Sequence, residues 1–214
     1  MKDAIIFDLD GTLLNTLEDL TDATNYTLTK FGLPTRTIDE VCSFVGNGVL
    51  LLIKRAVPGG TQHPNFNNIF ETFKNYYEEH SLDKTKPYDG VTCMLKTAKE
   101  RGYKTAIVSN KIDSAVKHLK KIFFDTVIDV AYGERPDIKK KPASDAVFAA
   151  MRDLCTTPDR CVYVGDSDVD IMTAKNSGVD CISVSWGFRS REFLIKNGAK
   201  VIIDQPMDLF SHIT

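Results

Sequence analysis

Apolar residues recur in short unbroken runs, and segments of helical period separate them. Strand-like runs occupy residues 4–8, 103–109, 127–131, 161–166, 181–184 and 201–204. They show little polar alternation, as strands do when both faces are buried. Helical spacing marks residues 92–101, 113–122, 143–154, 169–176 and 191–197 between them. Strands alternating with helices predict an α/β fold, a parallel sheet covered on both faces in three layers. Asp113-Ser114 is placed to cap one helix, and Pro142 to occupy the first position of another. Gly102, Gly178 and Gly198 stand where helices end in a left-handed residue.

Residues 15–86 break the alternation. Helix follows helix there: 16–31, with Leu17, Leu20, Ala23 and Leu28 on one face, then 38–44, 48–56 and 69–80, with a Gly/Pro/Asn-rich break over 58–68. The expected organisation is a catalytic core of residues 1–14 and 87–214 with a helical cap, 15–86, inserted after the first strand. Ligands of open α/β sheets sit beyond the carboxyl ends of the strands, so this insertion is expected to roof the site there.

Composition narrows the function little. The 214 residues are 43% hydrophobic and 26% charged with a net charge of −2, which gives no general attraction to nucleic acid. No apolar run reaches bilayer-spanning length, and no secretory signal is visible at the start, so a cytoplasmic protein without membrane partners is expected. Cys42, Cys93, Cys155, Cys161 and Cys181 are scattered without a C-x-x-C pair, which predicts reduced, mostly buried thiols. His63, His80, His118 and His212 show no ligand spacing and are expected at the surface.

The chemistry lies in the acids that end strands. Asp8 ends the first apolar run and Asp10 follows it; Asp166 ends the run 161–165. Carboxylates brought together in a dry cleft repel one another and lose hydration. A hard divalent cation with oxygen ligands is the expected compensator. An aspartate can act as a nucleophile toward phosphorus, and a second carboxyl group nearby can donate and accept a proton. Gly11 lets the chain bend and bring its N–H groups, with those of Thr12, toward an anion. Ser109 and Asn110, at the end of the second long strand, offer a hydroxyl and N–H groups for phosphoryl oxygens. Lys141, before Pro142, can neutralise such a group. Asp166 is the expected direct metal ligand. Asp170 is expected to orient a metal-bound water or Lys141, and Asp168 to serve as a helix-start acid. Trp186 reads as a core or rim aromatic.

The ordered set Asp8-Leu9-Asp10-Gly11-Thr12, Ser109, Lys141-Pro142 and Gly165-Asp166 through Asp170 resembles the phosphatase branch of the haloacid dehalogenase superfamily. The resemblance covers nearly the whole chain and implies a Rossmann-like core with a helical cap. It makes Asp8 the nucleophile and Asp10 the acid/base. It implies Mg²⁺ on the Asp8 carboxylate, the Asp10 carbonyl and Asp166, with Ser109 and Lys141 on the phosphoryl group. The second aspartate, Asp10, argues against carbon–halogen chemistry. Residues 31–34, 44–49 and 184–189 are similar to those of phosphoglycolate phosphatases, and Asn47 in Gly46-Asn47-Gly48 becomes the cap residue expected to touch substrate. The implied partner is a small phosphorylated metabolite, handled by a monomer or homodimer. A β-phosphoglucomutase-like mutase, a pyrophosphatase and a non-catalytic phosphate binder are the alternatives.

Overall fold

In a computed structural model that describes residues 2–213, the chain divides into two compact units. The first comprises the segment up to Leu14 and that from Pro87 onward; the second is Asn15–Lys86.

The first unit is built on a six-stranded, all-parallel sheet. Its strands are β1 (Ala4–Phe7), β4 (Lys104–Ile112), β5 (Val130–Glu134), β6 (Cys161–Gly165), β7 (Asp180–Val184) and β8 (Ile202–Ile203), in the order β5-β4-β1-β6-β7-β8. Two further short strands, β2 (Leu14–Asn15) and β3 (Lys86–Pro87), pair with each other. Period-two alternation sorts the sheet's side chains between two apolar layers. Ile5, Phe7, Ile107, Val162 and Val164 pack with residues of α5 (Val91–Glu100) and α6 (Asp113–Phe123). Ala4, Ile6, Ala106, Val108 and Tyr163 pack with α7 (Asp145–Asp153) and α8 (Asp168–Ser177). β1 runs between β4 and β6. It is the point where the chain order reverses, and such sheets form a ligand crevice at the carboxyl ends there. A short helix, α9 (Arg191–Lys196), lies between β7 and β8 in sequence.

The second unit is helical: α1 (Leu17–Lys30), α2 (Ile38–Phe44), α3 (Val49–Ala56) and α4 (Phe66–His80). α2 opens with a reciprocal capping box between Thr37 and Glu40. Phe66, Ile69, Phe73 and Tyr77 give α4 its buried face. No helix among the described residues is long and apolar enough to cross a membrane.

Several expectations need correction. Residues 127–128 are not strand: their N–H groups donate to the Phe124 carbonyl in a turn. Val127 and Ile128 are apolar because they are buried, and that burial mimics a strand. β4 continues three residues past Ser109, and α4 begins at Phe66 within the expected break. Asp113 does not cap α6 from outside; it is the first helical residue, and its carboxylate accepts from the Gly133 N–H at 2.9 Å. Pro142 does not start α7. Lys141 and Pro142, joined by a cis peptide, lie in a turn, and the helix begins at Asp145. The thiols are not mostly buried: Cys161 is, Cys42 and Cys181 are half-buried, and Cys93 and Cys155 are exposed. None of the four histidines is buried. Gly102, Gly178 and Gly198 all have positive φ, as their positions at helix ends require.

Candidate active site

The carboxyl ends of β1 and β6 bring Asp8, Asp166 and Asp170 together, each with a carboxylate oxygen within 4.8 Å of the others. All three side chains are buried. Lys141 answers two of them directly. Lys141 Nζ lies 2.8 Å from Asp8 Oδ1 and 2.8 Å from Asp170 Oδ1, and it donates to the Tyr163 hydroxyl at 3.1 Å. An ammonium has three protons, and these three acceptors match them. Lys141 is 2% exposed, so no solvent competes for its direction.

Asp170 is the third residue of α8, where its Oδ2 closes a capping box with Ser167, accepting from the Ser167 hydroxyl at 2.6 Å and its N–H at 3.1 Å. Its Oδ1 serves Lys141 and the Tyr163 hydroxyl, the latter at 3.2 Å. Both oxygens are therefore committed to orienting neighbours. Asp168 lies in the first turn of the same helix, where a negative charge suits the dipole.

Asp166 is wedged between two glycines. Gly11 has φ +85°, and a Cβ there would stand 2.4 Å from Asp166 Oδ2; a Cβ on Gly187 would stand 2.2 Å from Asp166 Cβ. Only residues without a side chain let both loops close on this carboxylate. It accepts from the Thr12 hydroxyl at 3.1 Å and from the Phe188 N–H at 2.8 Å. The Trp186 indole donates to the Thr12 carbonyl at 3.0 Å, joining the two loops on the rim. The N–H groups of Gly11 and Thr12 are not turned to an anion. They donate to the Leu14 and Leu9 carbonyls, and so the loop's own closure takes them.

Burial, reinforced by Asp170 and opposed by Lys141, holds the Asp8 carboxyl well above the usual carboxylate range. Burial and Asp170 push Asp166 up to about 7, against the Phe188 and Thr12 hydrogen bonds. Burial opposes the charge on Lys141, yet Asp170 and Asp8 carry it well above its ordinary value. The crowd is thus short of positive charge. Buried oxygen donors with an unanswered negative charge fit a hard divalent cation.

Asp10 meets a different cation. Its Oδ1 lies 3.2 Å from Lys111 Nζ, a buried cation that sequence reasoning missed. Ser109 and Asn110 are buried at the end of β4; Ser109 Oγ accepts from the Lys111 N–H at 3.2 Å, and Asn110 donates to the Lys141 carbonyl at 3.1 Å. A signal for Lys111 existed: extending the strand period from Ser109 puts residue 111 on the same face. The Tyr163 hydroxyl and the Phe188 N–H were also missed. Tyr163 reads as one more apolar strand residue, and a backbone N–H carries no sequence signal. Asn47 lies in the second unit, in the link between α2 and α3, where Gly46 and Gly48 both have positive φ.

The sequence pattern of haloacid dehalogenase-like hydrolases matches residues 5–184. A phosphoglycolate phosphatase of Aquifex aeolicus is 31% identical over 190 residues, covering 86% of this chain and 85% of its own. Phosphoglycolate phosphatase 1 of Pseudomonas aeruginosa is 30% identical over 216 residues, covering 96% and 77%. A solved structure from Lactobacillus delbrueckii subsp. bulgaricus, provisionally called a phosphoglycolate phosphatase, superposes with a TM-score of 0.94 at 38% identity, covering 100% of this chain and 99% of that one.

Proposed function

The chain belongs to the haloacid dehalogenase-like hydrolase family and is a phosphatase, and from that premise we propose that it hydrolyses a small phosphomonoester through an aspartyl phosphate on Asp8. The observation that carries this reading is the buried Asp8 carboxylate at the end of β1, bonded through Oδ1 to Lys141 and grouped with Asp166. Asp8 attacks phosphorus, forming one P–O bond while the bond to the substrate oxygen breaks. Asp10 gives its proton to that leaving oxygen. It then takes a proton from water, which attacks the acyl phosphate and releases inorganic phosphate with Asp8 restored. Ser109 and Lys141 hold the equatorial oxygens, where stabilising charge counts most in phosphoryl transfer. Mg²⁺ is the proposed cofactor, held by the Asp8 carboxylate, the Asp10 carbonyl and Asp166. When bound, it supplies positive charge to the transferring group and to the crowded carboxylates. Asp170 keeps Lys141 aimed.

Phosphoglycolate or a similar metabolite is the proposed substrate, on the strength of the relatives' names. The helical unit is the proposed cap, with Asn47 as its contribution to substrate choice. A monomer or homodimer working in the cytoplasm, without nucleic-acid or membrane partners, completes the proposal. Phosphate release is to be screened over phosphorylated metabolites with phosphoglycolate, pyrophosphate and a hexose 1-phosphate included. Borohydride reduction of acid-quenched enzyme, followed by peptide mapping, is expected to convert Asp8 to homoserine. Reduction at another carboxylate, or at none while phosphate is released, removes Asp8 as nucleophile.

A further inference from the structure

Lys111 has no place in the reaction as set out above, yet it is among the least expected side chains at the sheet's end. Its side chain is only 4% exposed, and its Nζ meets Asp10, whose side chain is 16% exposed, at 3.2 Å. Removing a lysine from water is costly, and a buried ion pair seldom stabilises a fold more than apolar residues of the same volume. Stability alone is therefore a poor account of it.

The local backbone shows how the residue is aimed. The pairing of β4 with β5 shifts register between Val108 and Ile112, the stretch that contains Ser109, Asn110 and Lys111. All three are buried, continuing the unbroken burial of β4 in a sheet covered on both faces. Such irregularities re-aim side chains next to functional sites. The next strand locks this one: a Cβ on Gly133 would stand 2.6 Å from the Lys111 carbonyl oxygen, so β5 approaches closely only because that residue is glycine. From this fixed backbone Lys111 bonds into the site through both its main chain and its side chain. Its N–H donates to Ser109 Oγ at 3.2 Å, and its Nζ reaches Asp10 Oδ1. The first occupies an acceptor lone pair of the hydroxyl and leaves the hydroxyl proton to be donated elsewhere.

We propose that Lys111 is a positioning residue, whose ammonium sets the direction of the Asp10 carboxylate and whose backbone N–H sets that of the Ser109 hydroxyl. One residue thereby aims the group that moves the proton and a group that holds the phosphoryl oxygens. This rests on the phosphatase reading and on Asp10 as its acid/base, and it adds a second lysine, paired with Asp10 as Lys141 is with Asp8.

The test is a double-mutant cycle of Lys111→Met with Asp10→Asn, assayed with p-nitrophenyl phosphate and Mg²⁺. If the ammonium acts through Asp10, K111M lowers kcat about tenfold with KM within about twofold, a fraction of what an acid–base group contributes. In the D10N background the same substitution lowers kcat by less than about twofold, because groups that act as a unit are not additive. K111R, which keeps the charge, recovers most of the loss. Equal factors in both backgrounds, or K111M as active as the unmodified enzyme beside an impaired D10N, overturn the inference. Wild-type protein that releases no phosphate, or D10N at full activity, overturns the reading beneath it instead. If thermal unfolding shows that K111M does not fold, K111Q carries the same cycle.

Discussion

Both units bury an aspartate, but they answer its charge differently. In the helical unit Asp19 is 3% exposed, and its carboxylate accepts from the N–H groups of Lys84, at 3.0 and 3.2 Å, and Thr85, at 2.9 Å. Those donors are fixed in the backbone and belong to the same unit. Asp19 thereby ties the end of the insertion to α1, and its charge is met where it lies. At the end of the parallel sheet, Asp8, Asp166 and Asp170 face one another, and Lys141 pairs with Asp8 and Asp170. The residue type and the burial are alike. One carboxylate is a structural tie; the other three hold a surplus of charge that a ligand can relieve. Burial alone does not mark a functional acid, but burial among like charges does.

The sharpest way to break this contrast is to neutralise one acid from each side. Asp8→Asn is expected to reduce kcat by at least about four orders of magnitude, since it removes the nucleophile itself. Its melting temperature should stay level or rise, because a like charge leaves the cluster while an acceptor for Lys141 remains. Asp19→Ala should do the reverse. Two backbone N–H groups lose their partner, at a cost of about 1–3 kcal/mol, which for a chain of this size lowers the melting temperature by several degrees. Calorimetry beside phosphate release checks both. A D8N protein as unstable as D19A would mean that the sheet-end acids are ordinary structural groups.

A second way is to relieve the surplus with protons or metal. The Asp166 carboxyl is raised to about 7 in the folded protein by burial and Asp170, above the ordinary 3.8 of an aspartate. The folded state therefore holds a proton that the unfolded state gives up, and stability falls as pH rises through that window. Metal-free protein in EDTA should melt at a lower temperature at pH 8 than at pH 5.5. Mg²⁺ should raise the melting temperature more at pH 8, where the Asp166 carboxyl is ionised. Asp166→Asn should flatten both effects. A melting temperature in EDTA that rises from pH 5.5 to 8 would show that Asp166 is not charge-starved.

The same contrast explains what could be read from the sequence. The parallel sheet was legible because strands buried on both faces have few ways to be written other than as apolar runs. Asp8 and Asp166 were legible because each interrupts such a run at its end. Lys111 had a signal in the strand period but was missed, since the strand was expected to stop at Ser109, where polar residues begin. It continues because Lys111 is itself buried against Asp10. Residues 127–128 failed in the opposite sense, being apolar for a core that meets them in a turn. The closeness of Gly11 and Gly187 to Asp166 was invisible, because it comes from two loops far apart in sequence. Local pattern reports burial and period; it does not report which distant backbone arrives to share a site.

The smallest effect concerns how a side chain can imitate the fixed donors around Asp19. Lys141 is steered by three acceptors, and the Tyr163 hydroxyl is the only uncharged one among them. That hydroxyl also lies 3.3 Å from the Val108 carbonyl and 3.2 Å from Asp170 Oδ1, so it braces the lysine against the backbone of β4. Tyr163→Phe removes the brace and leaves both charged partners. The expected loss is about 1 kcal/mol of stability, the typical net worth of one internal hydrogen bond. A fall in kcat of about threefold to tenfold should accompany it with KM little changed, since a lysine free to swing is misplaced mainly for the developing charge. If stability drops while kcat holds, the two carboxylates alone set the direction of Lys141. If both hold, the phenol is only a well-packed ring, and the difference between a carboxylate fixed by backbone and a cation fixed by side chains is smaller than the geometry suggests.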